Sequence, residues 1–248
     1  MNVGDTRDVT PFRVLFTSLV AAQVGYSRLP ERSLPAATRG IVVLMLATST
    51  AEAFGARRGR GAALVAAAGV LGFGAELVGV RTGRPFGHYR YGERLGARVG
   101  GVPVLAAAAW AMMARPSWVV AGTIDARPSR RIPLAAAALT AWDVFLDPRM
   151  ARDGFWTWPQ GGRYEGIPAS NFAGWFVTGA CVFAVWSVLD PAPPRRGDDG
   201  ALALYGWTWI GETFANAALW KRPRVAVAGS VAMGALALPA LRRRRSRR

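Results

Sequence analysis

Four carboxylates fall within, or at the end of, long apolar segments of the chain. Glu76 lies about a turn before the end of one segment, Asp143 and Asp147 close a second, and Glu212 lies near the middle of a third. A charged side chain in the centre of a membrane helix costs about 2.5 to 3.5 kcal/mol on insertion scales, so each acid needs an explanation. These acids are the first candidates for proton chemistry.

Asp143 and Asp147 are four residues apart, which places them on one face if the helix is continuous. Two nearby carboxylates repel each other, and repulsion with desolvation would keep a proton on one of them near neutral pH. The spacing therefore predicts a carboxylic acid that can donate a proton. The structural alternative is that Arg149, Arg152 or an arginine between Arg81 and Arg98 neutralises the pair.

Aromatic and hydrogen-bonding residues follow these acids in the chain. The segment GVRTGRPFGHYRYG comes directly after Leu77 and Val78, and the segment from Trp158 to Phe176 follows the aspartate pair. A capped helix end with an aromatic belt at the lipid headgroups is the structural alternative, and Asn171 could cap a helix. The candidates for substrate binding are Thr82, Phe86, His88, Tyr89, Tyr91, Trp110, Trp142, Tyr164, Asn171 and Trp175.

Glu212 is a second-tier candidate. Asn216 lies one helical turn after it and Thr208 one turn before it, so hydrogen bonding within the helix can account for a structural role.

The segments that must position these residues are apolar blocks of about 15 to 20 residues, close to the roughly 20 needed to cross a hydrocarbon core of about 30 Å. The chain has 248 residues, of which 52% are hydrophobic. The pattern predicts an all-α, polytopic transmembrane bundle, with residues 1–248 forming a single integral membrane domain. Eight spans are expected, at 12–26, 36–54, 62–80, 102–122, 132–146, 171–189, 201–220 and 225–241. Seven is the alternative count, because the first span is short and contains Arg13 and Gln23.

Two connections, 81–101 and 147–170, are longer than a helical bundle needs. Both are rich in aromatic, glycine and charged residues, which favours folded structure at the membrane interface. The basic tail 242–248 has the densest positive charge and is expected on the cytoplasmic side of the cell membrane. With eight spans, both long connections would face the other side.

The formal net charge of +16 comes almost entirely from arginines between apolar blocks and in the tail. That distribution indicates topology and contact with lipid headgroups, and it argues against a nucleic-acid partner. The chain has one cysteine, Cys181, and one histidine, His88. An intrachain disulfide is excluded, and neither zinc chemistry nor any other metal site is expected.

Four sequence blocks carry a specific resemblance. They are GAELVGVRTGRPFGHYRYG from Gly74, GVPVLAAAAW from Gly101, AWDVFLDPRMARDGFWTW from Ala141 and GIPASNFAGWF from Gly166. In order and spacing they resemble the carotenoid-biosynthesis membrane protein family that contains the carotenoid 1,2-hydratases. The resemblance covers roughly residues 74–179, and four blocks in register are more specific than any single motif.

The resemblance implies a cofactor-independent enzyme that adds water to the terminal 1,2 double bond of an acyclic carotenoid. Asp143 or Asp147 would be the acid, and Glu76 or the other aspartate would orient the water. The partners would be the carotenoid and membrane lipid, and association with other enzymes of carotenoid biosynthesis is compatible with this reading. A membrane carotenoid cyclase is the alternative enzyme, and a transporter or pigment-binding scaffold is the non-enzymatic alternative.

Overall fold

The computed structural model describes residues 10–246, except for the side chain of Arg196. These residues form the all-α bundle that the sequence predicts. Seven helices are present in this part of the chain: α1 (Thr10–Tyr26), α2 (Leu34–Thr82), α3 (Val104–Ile124), α4 (Pro128–Arg152), α5 (Ala169–Leu189), α6 (Asp199–Phe214) and α7 (Pro223–Ser246). A π-helical turn, Ala215–Leu219, extends α6, and short 3-10 turns lie at Glu31–Ser33, Glu93–Leu95 and Arg196–Asp198.

Helix α2 consists of two rods that meet at a sharp reversal. Arg58 has non-helical backbone angles there, with φ 55° and ψ −146°. A Cβ atom at Gly61 would overlap the carbonyl of Ala53. In a straight helix these two residues would be about 12 Å apart along the axis. The two halves of α2 therefore lie side by side, and they correspond to the predicted spans 36–54 and 62–80.

Four of the described helices are long and apolar enough to cross a membrane: α2 with the short turn before it, α3, α5 and α7. Helices α1 and α6 have 17 and 16 residues, so they are shorter than a typical span. Helix α4 is long enough, but its two aspartates and several arginines make it less apolar.

Helix α3 lies at the centre of the bundle and packs against α2, α4, α6 and α7. Close approach of α2 and α3 depends on Gly72, because a Cβ atom there would overlap the side chain of Trp110. Small residues let membrane helices approach closely in this way. Trp110 consequently packs against α2 at Gly72, which lies one helical turn before Glu76.

The two long connections fold together at one end of the bundle. Strand β1 (Arg90–Tyr91) pairs antiparallel with β4 (Trp156–Thr157), so that Tyr91 lies opposite Trp156. Strands β2 (Arg98–Val99) and β3 (Val102–Pro103) form a second antiparallel pair before α3. Segments from two distant parts of the chain thereby form one cap over the ends of α2, α4 and α5.

A buried charge network, formed by Glu52, Arg57, Arg115, Asp190 and Asp198, lies towards the opposite end. Arg115 contacts Glu52 at 2.9 Å and Asp198 at 2.5 Å, and Arg57 contacts Asp198 at 3.0 Å and Asp190 at 3.4 Å. Burial alone would raise the pKa of Asp198, but Arg115, the backbone N–H of Arg195 and Arg57 together lower it below its ordinary value. The network ties α2 and α3 to the segment between α5 and α6.

The count of four acids in apolar segments was too low, because Glu52 also lies in a predicted span and is buried. Arg115 lies in the predicted fourth span, where its charge can be buried only because Glu52 and Asp198 are close. The basic tail begins at the same end of the bundle. Arg244 contacts Asp199 at 2.6 Å and Arg243 donates to the carbonyl of Ile124, whereas Arg247 and Arg248 lie outside the described residues.

Candidate active site

Asp143 and Asp147 face each other from successive turns of α4, close to its C-terminal end. Both are buried, and Oδ1 of Asp143 has no hydrogen-bond partner among the described residues. Asn171, in the first turn of α5, donates from Nδ2 to Oδ2 of Asp143 at 2.9 Å and also to Oδ2 of Asp147. One amide therefore holds the two carboxyl groups in a fixed arrangement.

Trp156 supplies a further contact to the pair. Its Nε1 donates to Oδ1 of Asp147 at 3.0 Å. The pairing of β1 with β4 positions this indole, and Tyr91 on β1 packs edge-on against it with ring centroids 5.9 Å apart. The two long connections therefore meet directly at the aspartate pair.

Glu76 lies near the end of α2 and is bound by three neutral donors. Trp110 Nε1 donates to Oε1 at 3.0 Å, Tyr91 donates to Oε2 at 2.9 Å, and Tyr89 also donates to Oε2. Burial and the neighbouring Glu76 raise the pKa values of Tyr89 and Tyr91 well above the ordinary range. Both phenols therefore stay protonated and act as donors to the carboxylate.

A cavity of about 50 Å³ separates Glu76 from Asp147. Aromatic rings form much of its wall, and Trp175 stacks on Trp110 with ring centroids 4.0 Å apart. The polar and aromatic lining consists of Glu76, Asp147, Asn171, Phe86, Tyr89, Tyr91, Trp156, Trp158 and Trp175, with Leu95, Leu146, Met112 and Met150 among the apolar residues. We call this space the acid chamber. Asp143 lies behind Asp147 and does not line it.

No arginine among the described residues forms an ion pair with Asp143, Asp147 or Glu76. Arg149, which the sequence offered as a neutralising partner, instead contacts Asp153 at 2.5 Å and stacks on Trp220 at 3.9 Å from the ring centroid. Arg152 is exposed. The aspartate pair therefore has no positively charged partner among the described residues, and burial without such a partner disfavours ionisation of both carboxyl groups.

Not every candidate residue from the sequence reaches the chamber. Thr82 and His88 are exposed, and the Thr82 hydroxyl donates to the carbonyl of Val78 at 2.8 Å, within the end of α2. Tyr164 donates to the carbonyl of Val144 at 3.0 Å and packs against Phe172. Trp142 packs edge-on against Trp175, with ring centroids 6.1 Å apart, and does not line the chamber.

Glu212 and Asn216 lie on α6 and its π-helical extension, away from the acid chamber. Asn216 donates to the backbone oxygen of Glu212 at 2.9 Å and to its side chain at 3.3 Å. Glu212 lines a larger neighbouring cavity, together with Arg149. The two residues therefore form a local pair of their own.

Trp156 and Trp158 line the chamber but were absent from the candidate residues. Their spacing carried a signal, because residues two apart on a strand point to the same face. Trp158 donates from Nε1 to the backbone carbonyl of Phe86 at 3.1 Å, which joins the two long connections a second time. Within residues 10–246, no group of three or more His, Cys, Asp or Glu residues is arranged to hold a metal ion.

Comparisons with known proteins identify the family of the chain. The chain is 34% identical, over 145 residues, to a protein of Haloarcula japonica named bisanhydrobacterioruberin hydratase. The aligned region covers 56% of this chain and 49% of the relative, so the chain spans about half the length of the curated relative that it matches. No solved structure matches the chain. The model of the family described as "Carotenoid biosynthesis protein" matches residues 36–237, and the chain therefore belongs to the carotenoid biosynthesis protein family.

Proposed function

We propose that the chain is a carotenoid hydratase that adds water across the terminal 1,2 double bond of an acyclic carotenoid, leaving a tertiary 1-hydroxy group. The observation that carries the proposal is the acid chamber. Asp147, with Asp143 beside it, lines one side, Glu76 lines the other, and aromatic rings form much of the wall. The name of the Haloarcula relative supports the same reaction class.

Asp147 is the proposed proton donor, because it is the member of the aspartate pair that lines the chamber. Its proton would add to C2 of the double bond and leave a tertiary carbocation at C1. Asp143 would help to keep a proton on the pair, since two adjacent buried carboxyl groups cannot both ionise cheaply. Asn171 would hold both carboxyl groups in position.

Aromatic rings would stabilise the carbocation. Cations are attracted to the faces of Trp and Tyr rings, and the effect is larger where water is excluded. Tyr91, Trp156, Trp158 and Trp175 line the chamber within reach of such a cation. No redox step is needed. One carbon of the double bond gains hydrogen and the other gains oxygen, so the molecule as a whole is neither oxidised nor reduced.

Glu76 is the proposed acceptor of the proton that the attacking water loses. The water oxygen would bond to C1 while one of its protons passes to Glu76, so that one water is added in total. Return of that proton from Glu76 to Asp147 across the chamber would then restore the starting state. The chamber volume of about 50 Å³ exceeds the roughly 10 to 15 Å³ that an ordered water requires. Tyr89, Tyr91 and Trp110 would keep Glu76 pointing into the chamber.

Expression in cells that accumulate lycopene, followed by mass spectrometry of the pigments, tests the reaction. A hydratase produces a pigment heavier by one water per reacted end group. An isomer of unchanged mass with a ring would indicate a cyclase instead. Unchanged lycopene, with the protein correctly inserted, would contradict both enzymatic hypotheses and favour a scaffold or transporter.

We also propose that the chain crosses the cell membrane several times with its C-terminus in the cytoplasm. The dense positive charge from Arg242 onwards supports this orientation. The acid chamber would then lie near the opposite membrane face. Reporter fusions at the C-terminus and within 147–170 should report opposite sides, and the same side for both would contradict the proposal.

A further inference from the structure

A second cavity of about 430 Å³ lies between α1, α2, α4 and α6, beside the acid chamber. Its volume falls in the range of about 300 to 1,000 Å³ that is typical of small-molecule pockets. Much of the wall is apolar, with Ile41, Met45, Trp142 and Phe145 on the inner side. Neither the family assignment nor the proposed chemistry gives this cavity a role.

The two cavities share a partition. Val42, Met112, Leu146 and Met150 line both of them. Methionine side chains are unbranched and adaptable, so they can rearrange around a ligand more readily than branched residues. A slender apolar group could therefore pass from the large cavity to Asp147 by displacing the side chains of Met112 and Met150.

The outer rim of the large cavity is apolar and exposed. Val24 on α1 is 52% exposed, Phe214 at the end of α6 is 60% exposed, and Leu219 is 46% exposed. These residues lie on surfaces that a bundle in a membrane presents to lipid. Between α1 and α6 the rim is bridged by a hydrogen bond of 2.6 Å from Trp207 Nε1 to Gln23 Oε1.

Several polar groups of the large cavity are already bound to one another. Arg149 is paired with Asp153, Tyr26 shares a hydrogen bond of 2.7 Å with Thr38, and Asn216 donates to Glu212. Gln23 accepts from Trp207. Because each of the lining side chains named here has a partner within the protein, the cavity suits an uncharged, apolar ligand better than a polar one.

We propose that the large cavity binds the linear polyene chain of the substrate, which enters from the bilayer between α1 and α6 with its end group leading. The end group passes Met112 and Met150 into the acid chamber, while the distal part of the chain remains among the lipids. This inference rests on the proposed function for the identity of the ligand. Its structural support is the set of side chains that lines both cavities.

Gly211 offers a direct test. It lines the large cavity, and a Cβ atom there would meet only Trp207, at 3.8 Å, which is ordinary contact. Gly211→Leu should therefore fill the cavity without disrupting the helix. Gly206→Leu is the matched control, because Gly206 lies on the same helix, lines neither cavity, and has nothing within 4 Å of an added Cβ.

Both substitutions are made in the Asp147→Asn background, and each protein is purified from cells that accumulate lycopene. The measurement is the absorbance of bound lycopene per protein. Gly211→Leu should lower the amount of bound lycopene by about tenfold or more, because the added side chain would compete with the polyene for the same space. Gly206→Leu should bind as much lycopene as the parent protein. Equal amounts of lycopene in the two variants would overturn the inference.

Two further measurements separate the possible failures. Ile41→Phe fills the cavity from α2 and decides the matter if Gly211→Leu does not fold. Hydration is then measured with Asp147 restored. Lycopene that is bound in the cavity but never hydrated would contradict the proposed function alone. Hydration and lycopene binding that are unaffected by both cavity-filling variants would contradict the cavity assignment alone.

Discussion

At the scale of residues, the aspartate pair is held by neighbours that do not carry a positive charge. Asn171 donates to both carboxyl groups, and Trp156 donates to Asp147. A pair neutralised by arginine would be poorly suited to give up a proton, whereas a pair that shares one proton is suited to that task. This difference makes the carboxyl groups testable one at a time.

Asp143→Asn and Asp147→Asn should each reduce hydration by about 10²- to 10⁴-fold, the usual contribution of a general acid or base. Asn preserves size and much of the hydrogen bonding, so inserted protein should still accumulate. Rates are measured in membranes on lycopene, normalised to protein. Glu212→Gln is the comparison and should have a smaller effect, because Glu212 lies away from the chamber. Near wild-type rates in both Asp variants would make Glu76 the leading acid.

Tyr91→Phe should lower the hydration rate by about tenfold or more, because hydrogen bonds to charged groups contribute about 1.5 to 3 kcal/mol. The change removes the 2.9 Å hydrogen bond to Glu76 and leaves the ring against Trp156. Tyr205→Phe is the control. Its buried hydroxyl bonds the carbonyl of Ala138 at 3.0 Å, in another part of the bundle. Equal rates for the two variants would show that the Tyr91 hydroxyl has no part in turnover.

At the scale of elements, the ion pairs of Arg115 join α2 and α3 to the segment before α6. Both of its partners are buried, so removing the cation would leave Glu52 without an ion pair and Asp198 with Arg57 alone. Exposed ion pairs are worth far less, because solvent screens them. Substitution of a buried and of an exposed arginine should therefore have contrasting effects on stability.

Arg115→Met should destabilise the bundle by about 3 to 5 kcal/mol, the usual cost of breaking a buried ion pair. Arg127→Met should have little effect, since Arg127 is 66% exposed in its pair with Asp125. Thermal unfolding in detergent measures both. If the melting temperature of Arg115→Met equals that of Arg127→Met, the buried charge network does not stabilise the fold.

At the scale of the whole molecule, the acid chamber and the basic tail lie at opposite ends of the bundle. The acid chamber lies under the cap formed by β1 and β4, whereas Arg243 and Arg244 contact Ile124 and Asp199 at the other end. Positive charge beside a membrane helix acts on orientation and lipid contact. The positive charge of the tail is therefore not expected to act on groups in the acid chamber.

Replacing the arginines of 242–248 with glutamine should therefore reduce correct insertion while leaving turnover per inserted molecule largely intact. The assay compares hydration with the amount of protein in the correct orientation, as reported by protease accessibility of 147–170. Wild-type protein treated in the same way is the reference. A complete loss of turnover in correctly oriented protein would assign the tail a role in catalysis.

The sequence by itself determined the helical segments, because the length and composition of each apolar block depend only on neighbouring residues. The spacing of Asp143 and Asp147 likewise sufficed to predict that they share a face, and the four sequence blocks predicted the family. The spacing of the two aspartates did not show which side chains would surround them. From that spacing alone, neutralisation of the pair by an arginine was the favoured expectation.

Only the tertiary structure decided those partners. Trp110 meets Glu76 across 34 positions of sequence, Asn171 meets Asp143 across 28, and Arg115 meets Glu52 across 63. Such contacts depend on how each helix is rotated and on the folding of two long connections into one cap. Local periodicity predicts neither the rotation of a helix nor the folding of a connection. It shows only which face of a helix is apolar, and not which neighbour that face will contact.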